Sequence, residues 1–127
     1  MLERLSPAGA PKPLGAYSPA VRAGDFIYLA GQGPLDPVTN KLLEGDIQAE
    51  TRLTLTNIRT ILEGLGSGLA DVVRVGVFLR DGADFAKMNE VCAEFFGSDK
   101  PARTTIVCSF AQPIRVEIDC VAYCPRP

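Results

Sequence analysis

A chain of 127 residues is sized for one domain, and a domain this large buries roughly two thirds of its unfolded surface without metal or disulfide staples. The apolar fraction of 46%, the charged fraction of 22% and the net charge of −2 are ordinary globular values, and no basic stripe of the kind that holds a phosphate backbone is present. Histidine is absent, which excludes a Ser-His-Asp or Cys-His nucleophile system, a histidine metal site and a two-histidine ribonuclease mechanism.

Acid–base work therefore falls to Glu, Asp, Tyr, Lys, Cys or bound water. The cysteines Cys92, Cys108, Cys120 and Cys124 form no C-x-x-C pair, and Cys120 with Cys124 is too sparse for zinc, so they read as small buried hydrophobes. The start, Met1-Leu2-Glu3-Arg4-Leu5, carries charges where a signal peptide needs an apolar stretch, and no run reaches the length of a membrane span. The expectation is a cytoplasmic protein with reduced thiols and no membrane contact, and the charge balance disfavours nucleic acid as its main partner.

In chain order, Leu2–Leu5 reads as a short first strand, and residues 6–19 as a loop, because their prolines forbid regular helix. Tyr17 is the one aromatic there. Ala20-Val21-Arg22, the turn Ala23-Gly24-Asp25 and the run Phe26-Ile27-Tyr28-Leu29-Ala30 predict a hairpin that ends at Gly31-Gln32-Gly33-Pro34. Residues 34–45 form a turn-rich connection. Asp46 is a natural N-cap for a helix to about Leu65, with Ile47, Leu55, Ile58, Leu62 and Leu65 at helical spacing and Gly66 as its stop. Val72–Leu79 is β-branched and strand-like. A second helix spans Asp84–Phe96, with Phe85, Met88, Cys92, Phe95 and Phe96 on one side, closed by Gly97 and Pro101. Two strands follow, near 103–109 and 115–123, for an order β-β-β-α-β-α-β-β. That is an α+β fold with two helices on one face of a mixed sheet, in a single domain over 1–127.

Two helices cover one sheet face only, yet these strands are apolar on both. In the last strand Val116, Ile118, Cys120 and Ala122 lie on one side, while Glu117, Asp119, Val121 and Tyr123 lie on the other. In residues 72–79, Val73, Val75, Val77 and Leu79 form one set, and the other still holds Val72 and Phe78. A solvated face alternates with polar residues, so an uncovered apolar face predicts a homo-oligomer with ligand clefts near the subunit boundary.

The chemistry-bearing residues are Arg103, Thr105 and Glu117. Arg103 and Thr105 share a strand face, and Glu117 approaches them if its strand pairs antiparallel with theirs. An arginine fork matches a small carboxylate, and a glutamate nearby holds or activates water. A buried ion pair at an interface fits the same residues and stays open at this stage. Asn89 interrupts apolar helical positions, Gly31 permits close backbone approach, and neither a Walker nor a dinucleotide fingerprint occurs.

The ensemble Gly15-Ala16-Tyr17-Ser18-Pro19-Ala20, Ala30-Gly31-Gln32, Asn57, Phe85-Ala86-Lys87-Met88-Asn89, Phe95-Phe96, Pro101-Ala102-Arg103-Thr104 and Val116-Glu117-Ile118 resembles the RidA/YjgF family of reactive-intermediate deaminases across nearly the whole chain. The resemblance implies a chorismate-mutase-like fold with a six-stranded sheet, a homotrimer with clefts between subunits, and cofactor-free, metal-free hydrolysis of enamines and imines such as 2-aminoacrylate or 2-iminopropionate to 2-keto acids and ammonia. By the same resemblance Arg103 clamps the substrate carboxylate and Glu117 positions the attacking water. Gly31 lines the site through its backbone, Tyr17 forms part of the wall and Asn89 supports it. Many relatives carry Cys two residues after the arginine, where this chain has Thr105, which offers a hydroxyl or backbone contact but no covalent thiol. Ala30 stands where some relatives have Ser. A pathway-specific deaminase, a non-catalytic keto-acid sensor, a ribonuclease or translation inhibitor and a holdase are the competing readings, and the missing histidine and the net charge argue against the ribonuclease.

Overall fold

Asp46 starts the long helix because its carboxylate accepts the Ala49 N–H at 2.8 Å, and Gly66, at φ +81°, ends it. A computed structural model describes residues 2–127. Its strands are β1 (Leu2–Leu5), β2 (Ala20–Ala23), β3 (Phe26–Gln32), β4 (Val72–Leu79), β5 (Ala102–Val107) and β6 (Val116–Tyr123). Its helices are α1 (Ile47–Gly64) and α2 (Phe85–Phe96), with short 3-10 turns at Leu69–Asp71 and Gly82–Asp84. The β2–β3 hairpin turns at Gly24, φ +60°, a conformation that glycine adopts without strain.

The strands form one six-stranded sheet in the order β1-β2-β3-β6-β4-β5, with the β4–β5 pair parallel and all others antiparallel. Both helices pack on one face. There Leu55, Ile58, Ile61 and Leu62 of α1 and Met88 and Val91 of α2 meet Ile27, Val75, Val77, Ile118 and Cys120 of the sheet. The α+β architecture, the two helices on one face and the six strands are those expected from the sequence.

Two irregularities alter the predicted faces. The register shifts between Val72 and Arg74, so Val72 is buried and Val73 is 44% exposed, the reverse of strict alternation. A second shift between Leu29 and Gln32 leaves Ala30 and Gly31 as the bulged pair of β3. The apolar side of α2 also differs: Val91 is fully buried, whereas Phe85 is 43% exposed. The cysteines are free; Cys92 and Cys120 are buried, and Cys108 and Cys124 are half-buried.

Among the described residues no helix packs on the opposite sheet face. It carries Phe26, Tyr28, Phe78, Ile106, Val121 and Tyr123, with the Phe26 and Tyr123 rings 5.3 Å apart. No helix among the described residues is long and apolar enough to cross a membrane.

Candidate functional site

The bulge in β3 turns the backbone of Gly31 toward β6, and the Glu117 side chain lies against it. A Cβ on Gly31 would stand 2.5 Å from Glu117 Oε2 and 2.8 Å from its Cδ. The missing Cβ, not the dihedral angle, is what leaves the Glu117 carboxylate room to lie here. Glu117 makes no side-chain hydrogen bond or ion pair with the described residues, and burial, followed by the charge of Asp119, pushes its carboxyl above the usual range. Asp119 itself is tied down, accepting the Gly76 N–H at 3.0 Å.

Glu117, Gly31 and Tyr17 line a cavity of about 260 Å3, together with Leu14, Gln32 and Ile114. Tyr17 is 48% exposed, and its hydroxyl accepts the Leu14 N–H at 3.3 Å, so the ring steadies the proline-rich loop at the cavity mouth. The floor is anchored from beneath. Asn57, buried in α1, donates through Nδ2 to Leu35 O at 2.8 Å and Gly33 O at 3.2 Å. Glu50, also buried in α1, accepts the Arg115 N–H at 2.8 Å and pairs with Arg115 Nε at 3.4 Å, holding the chain two residues before Glu117. Burial raises the Glu50 carboxyl, and Arg115 works against that rise.

Arg103 lies elsewhere. Its Nη1 donates to Asn89 Oδ1 at 2.8 Å, and its guanidinium carbon sits 5.4 Å from the centre of the Phe85 ring. A cation over a ring face and a side-chain acceptor fix the orientation of the fork and leave further donors free. Phe85 and Asn89 are four apart on α2 and share a helix face, which is what lets both reach one guanidinium. Asn89, Cys92, Lys100 and Arg103 line a second cavity of about 310 Å3. Burial raises the Cys92 thiol, with nearby Arg103 pulling the other way.

The expectation that Glu117 approaches Arg103 and Thr105 across adjacent strands is overturned. β4 lies between β5 and β6. Arg103 is in register with Val75, and Val75 with Cys120, both buried on the helix side, and Thr105 follows Arg103 through Val77 and Ile118. Glu117 is in register with Phe78 on the uncovered side. One chain thus carries its arginine and its glutamate on opposite faces of the sheet, with Gly31 and Tyr17 grouped with Glu117, and Asn89 grouped with Arg103. Phe85 and Asn57 are the residues that position these groups without having been assigned a part from residue pattern. The i, i+4 spacing of Phe85 and Asn89 was the available signal for the first, and a buried helical Asn gives none until its partners are known. Among the described residues no group of three or more His, Cys, Asp or Glu is placed to hold a metal ion.

A family model described as endoribonuclease L-PSP matches residues 8–124. A RutC family protein of Pyrococcus horikoshii is 48% identical over 124 residues, covering 97% of this chain and 98% of its own length. A 2-iminobutanoate/2-iminopropanoate deaminase of Dermatophagoides farinae is 40% identical over 113 residues, 88% of each chain. Among solved structures, RidA from an Antarctic Psychrobacter superposes with a TM-score of 0.90 at 36% identity, covering 95% of this chain and 98% of the other. A match over nearly the full length of both sequence and fold means that this chain belongs to the RidA/YjgF family, the endoribonuclease L-PSP family of the matching model.

Proposed function

We propose that this protein hydrolyses reactive 2-imino acids and their enamine tautomers, of the 2-aminoacrylate and 2-iminopropionate class, to 2-keto acids and ammonia. The observation that carries the reading is the pair of Glu117 and Arg103: a carboxylate without a hydrogen-bond or ion-pair partner among the described residues, laid over the Gly31 backbone, and an oriented arginine with further donors. Their chemistry is complementary, because a 2-imino acid needs a carboxylate clamp and a held water. The deaminase among the 40%-identical relatives supports the substrate class.

Arg103 takes the substrate carboxylate through its free N–H donors. Glu117 accepts a hydrogen bond from a water and aims its lone pair at the imine carbon. Burial destabilises the Glu117 anion and makes it a stronger base for the water proton. Water adds across C=N to give a carbinolamine. Proton transfer to nitrogen then expels ammonia and leaves the keto group, with no change of oxidation state. Thr105 lies on the Arg103 face and contributes a hydroxyl or backbone contact to the same ligand, and Tyr17 walls the Glu117 side. The imine carbon is already electrophilic, so orientation of the two reactants supplies much of the acceleration.

Because Arg103 and Glu117 sit on opposite sheet faces, the reading requires a second copy of the chain, with Arg103 of one subunit meeting Gly31, Tyr17 and Glu117 of its neighbour. The uncovered face bearing Phe26, Tyr28, Ile106 and Tyr123 gives such an assembly, a homotrimer, its contact surface. The test is keto-acid release from 2-aminoacrylate generated in place by a serine or threonine dehydratase. Wild type accelerates release, and Arg103→Ala and Glu117→Gln abolish the acceleration. Co-expression of the two inactive variants in one cell restores part of it, since mixed assemblies hold some intact sites. Survival of activity in Arg103→Ala refutes the clamp, and failure of mixed assemblies to recover any activity refutes the shared site.

A further inference from the structure

The cavity beside Arg103 holds more positive charge than a monocarboxylate uses. Arg103 and Lys100 both line it, and among the described residues no Asp or Glu does. Neither cation enters an ion pair with the described residues. Arg103 is held by the neutral Asn89, and the Lys100 ammonium donates to Gly97 O at the end of α2. The other polar lining group, the Cys92 thiol, is kept neutral by burial. Two like charges in one concavity raise each other's energy, and an anion that meets both relieves the repulsion. Lys100 stands three residues before Arg103, so their Cα atoms are at most about 10 Å apart, and both side chains are long and flexible.

We propose that Lys100 reads a second acidic group on the substrate, so that the site takes dicarboxylic 2-imino acids, such as 2-iminoglutarate and 2-iminosuccinate, in preference to monocarboxylic ones. This rests on the deaminase reading for turnover. The first carboxylate occupies Arg103, and the side-chain carboxylate reaches Lys100. The reaction is unchanged: water oxygen becomes the keto oxygen, the C=N bond breaks, ammonia leaves, and the product is a 2-oxo dicarboxylic acid. A compact ammonium on a flexible stem suits an acid whose distance from the reacting carbon varies.

The experiment compares 2-iminoglutarate with 2-iminobutyrate, each formed in place by an amino-acid oxidase, for wild type, Lys100→Ala and Lys100→Arg. Calorimetric titration with 2-oxoglutarate and 2-oxobutyrate runs beside it as a readout independent of turnover. The expected result is a lower KM for the dicarboxylic substrate in wild type. The ratio of its KM to that of the monocarboxylic substrate rises about tenfold in Lys100→Ala and returns in Lys100→Arg, with kcat little moved. A ratio that Lys100→Ala leaves where it was overturns the inference, as does equal binding of the two oxo acids by wild type. Lys100-dependent binding of 2-oxoglutarate without hydrolysis of either imine sinks the deaminase reading and leaves the dicarboxylate site standing.

Discussion

Replacing Gly31 by alanine tests the site through a single methyl group. The added Cβ would lie 2.5 Å from Glu117 Oε2, where ordinary van der Waals contact begins at 3.4 Å, so the oxygen must retreat by the difference, 0.9 Å. The obstacle is the end of a flexible side chain, and Gly31 is not at positive φ, so the backbone accepts alanine. Loss of glycine's freedom in the unfolded chain is itself stabilising by about 0.4–1 kcal/mol, which offsets part of the crowding. The melting temperature therefore stays within a few degrees of wild type. Catalysis does not, because a misplacement near 1 Å costs about 10²-fold in rate, equivalent to about 2.7 kcal/mol of barrier. Keto-acid release under steady state and thermal denaturation by circular dichroism read the two effects separately. A folded Gly31→Ala protein within about threefold of wild-type kcat/KM refutes the assignment of Glu117 as the group that places water.

Glu117→Gln is expected to lose about 10²–10⁴-fold in kcat. Because the folded-state carboxyl is raised above 4.5, the folded state binds its proton more tightly than the unfolded one, and stability falls as pH climbs from the unfolded to the folded value. The glutamine variant therefore melts higher than wild type at neutral pH and loses that advantage under acid, and the acid limb of the wild-type rate profile bends above 4.5. Equal melting curves at pH 7 count against a destabilised carboxylate. Asn89→Ala removes the Arg103 partner at 2.8 Å, and is expected to raise KM about tenfold with a smaller change in kcat, with an unaltered KM as the refuting result. Asn57→Ala leaves the Leu35 and Gly33 carbonyls without their donor beneath the cavity floor, costing about 2 kcal/mol, which urea denaturation measures. A loss under about 0.5 kcal/mol would mean that water replaces the amide.

Residue pattern alone determined the elements and, where the strands run without a bulge, which sheet face each side chain takes. The caps at Asp46 and Gly66, the turn at Gly24, the two amphipathic helices and the strand with Val116, Ile118, Cys120 and Ala122 on one side are all local properties, set by hydrogen bonding and alternation within a few residues. The apolar uncovered face was legible for the same reason. Alternation also puts Arg103 and Thr105 together and Glu117 opposite Ile118, but it does not say which strands are neighbours. That depends on long-range pairing, and β4 takes the place between β5 and β6 where the antiparallel contact had been expected. Nor does alternation survive a bulge: one extra residue exchanges Val72 with Val73, and another brings Gly31 over Glu117. The clustering of Arg103 with Phe85, Asn89 and Lys100 belongs to the same class of fact, because it arises where α2 meets the sheet edge. Periodicity tells each strand which side is inward. Only tertiary packing decides which inward and outward groups come to share a cavity.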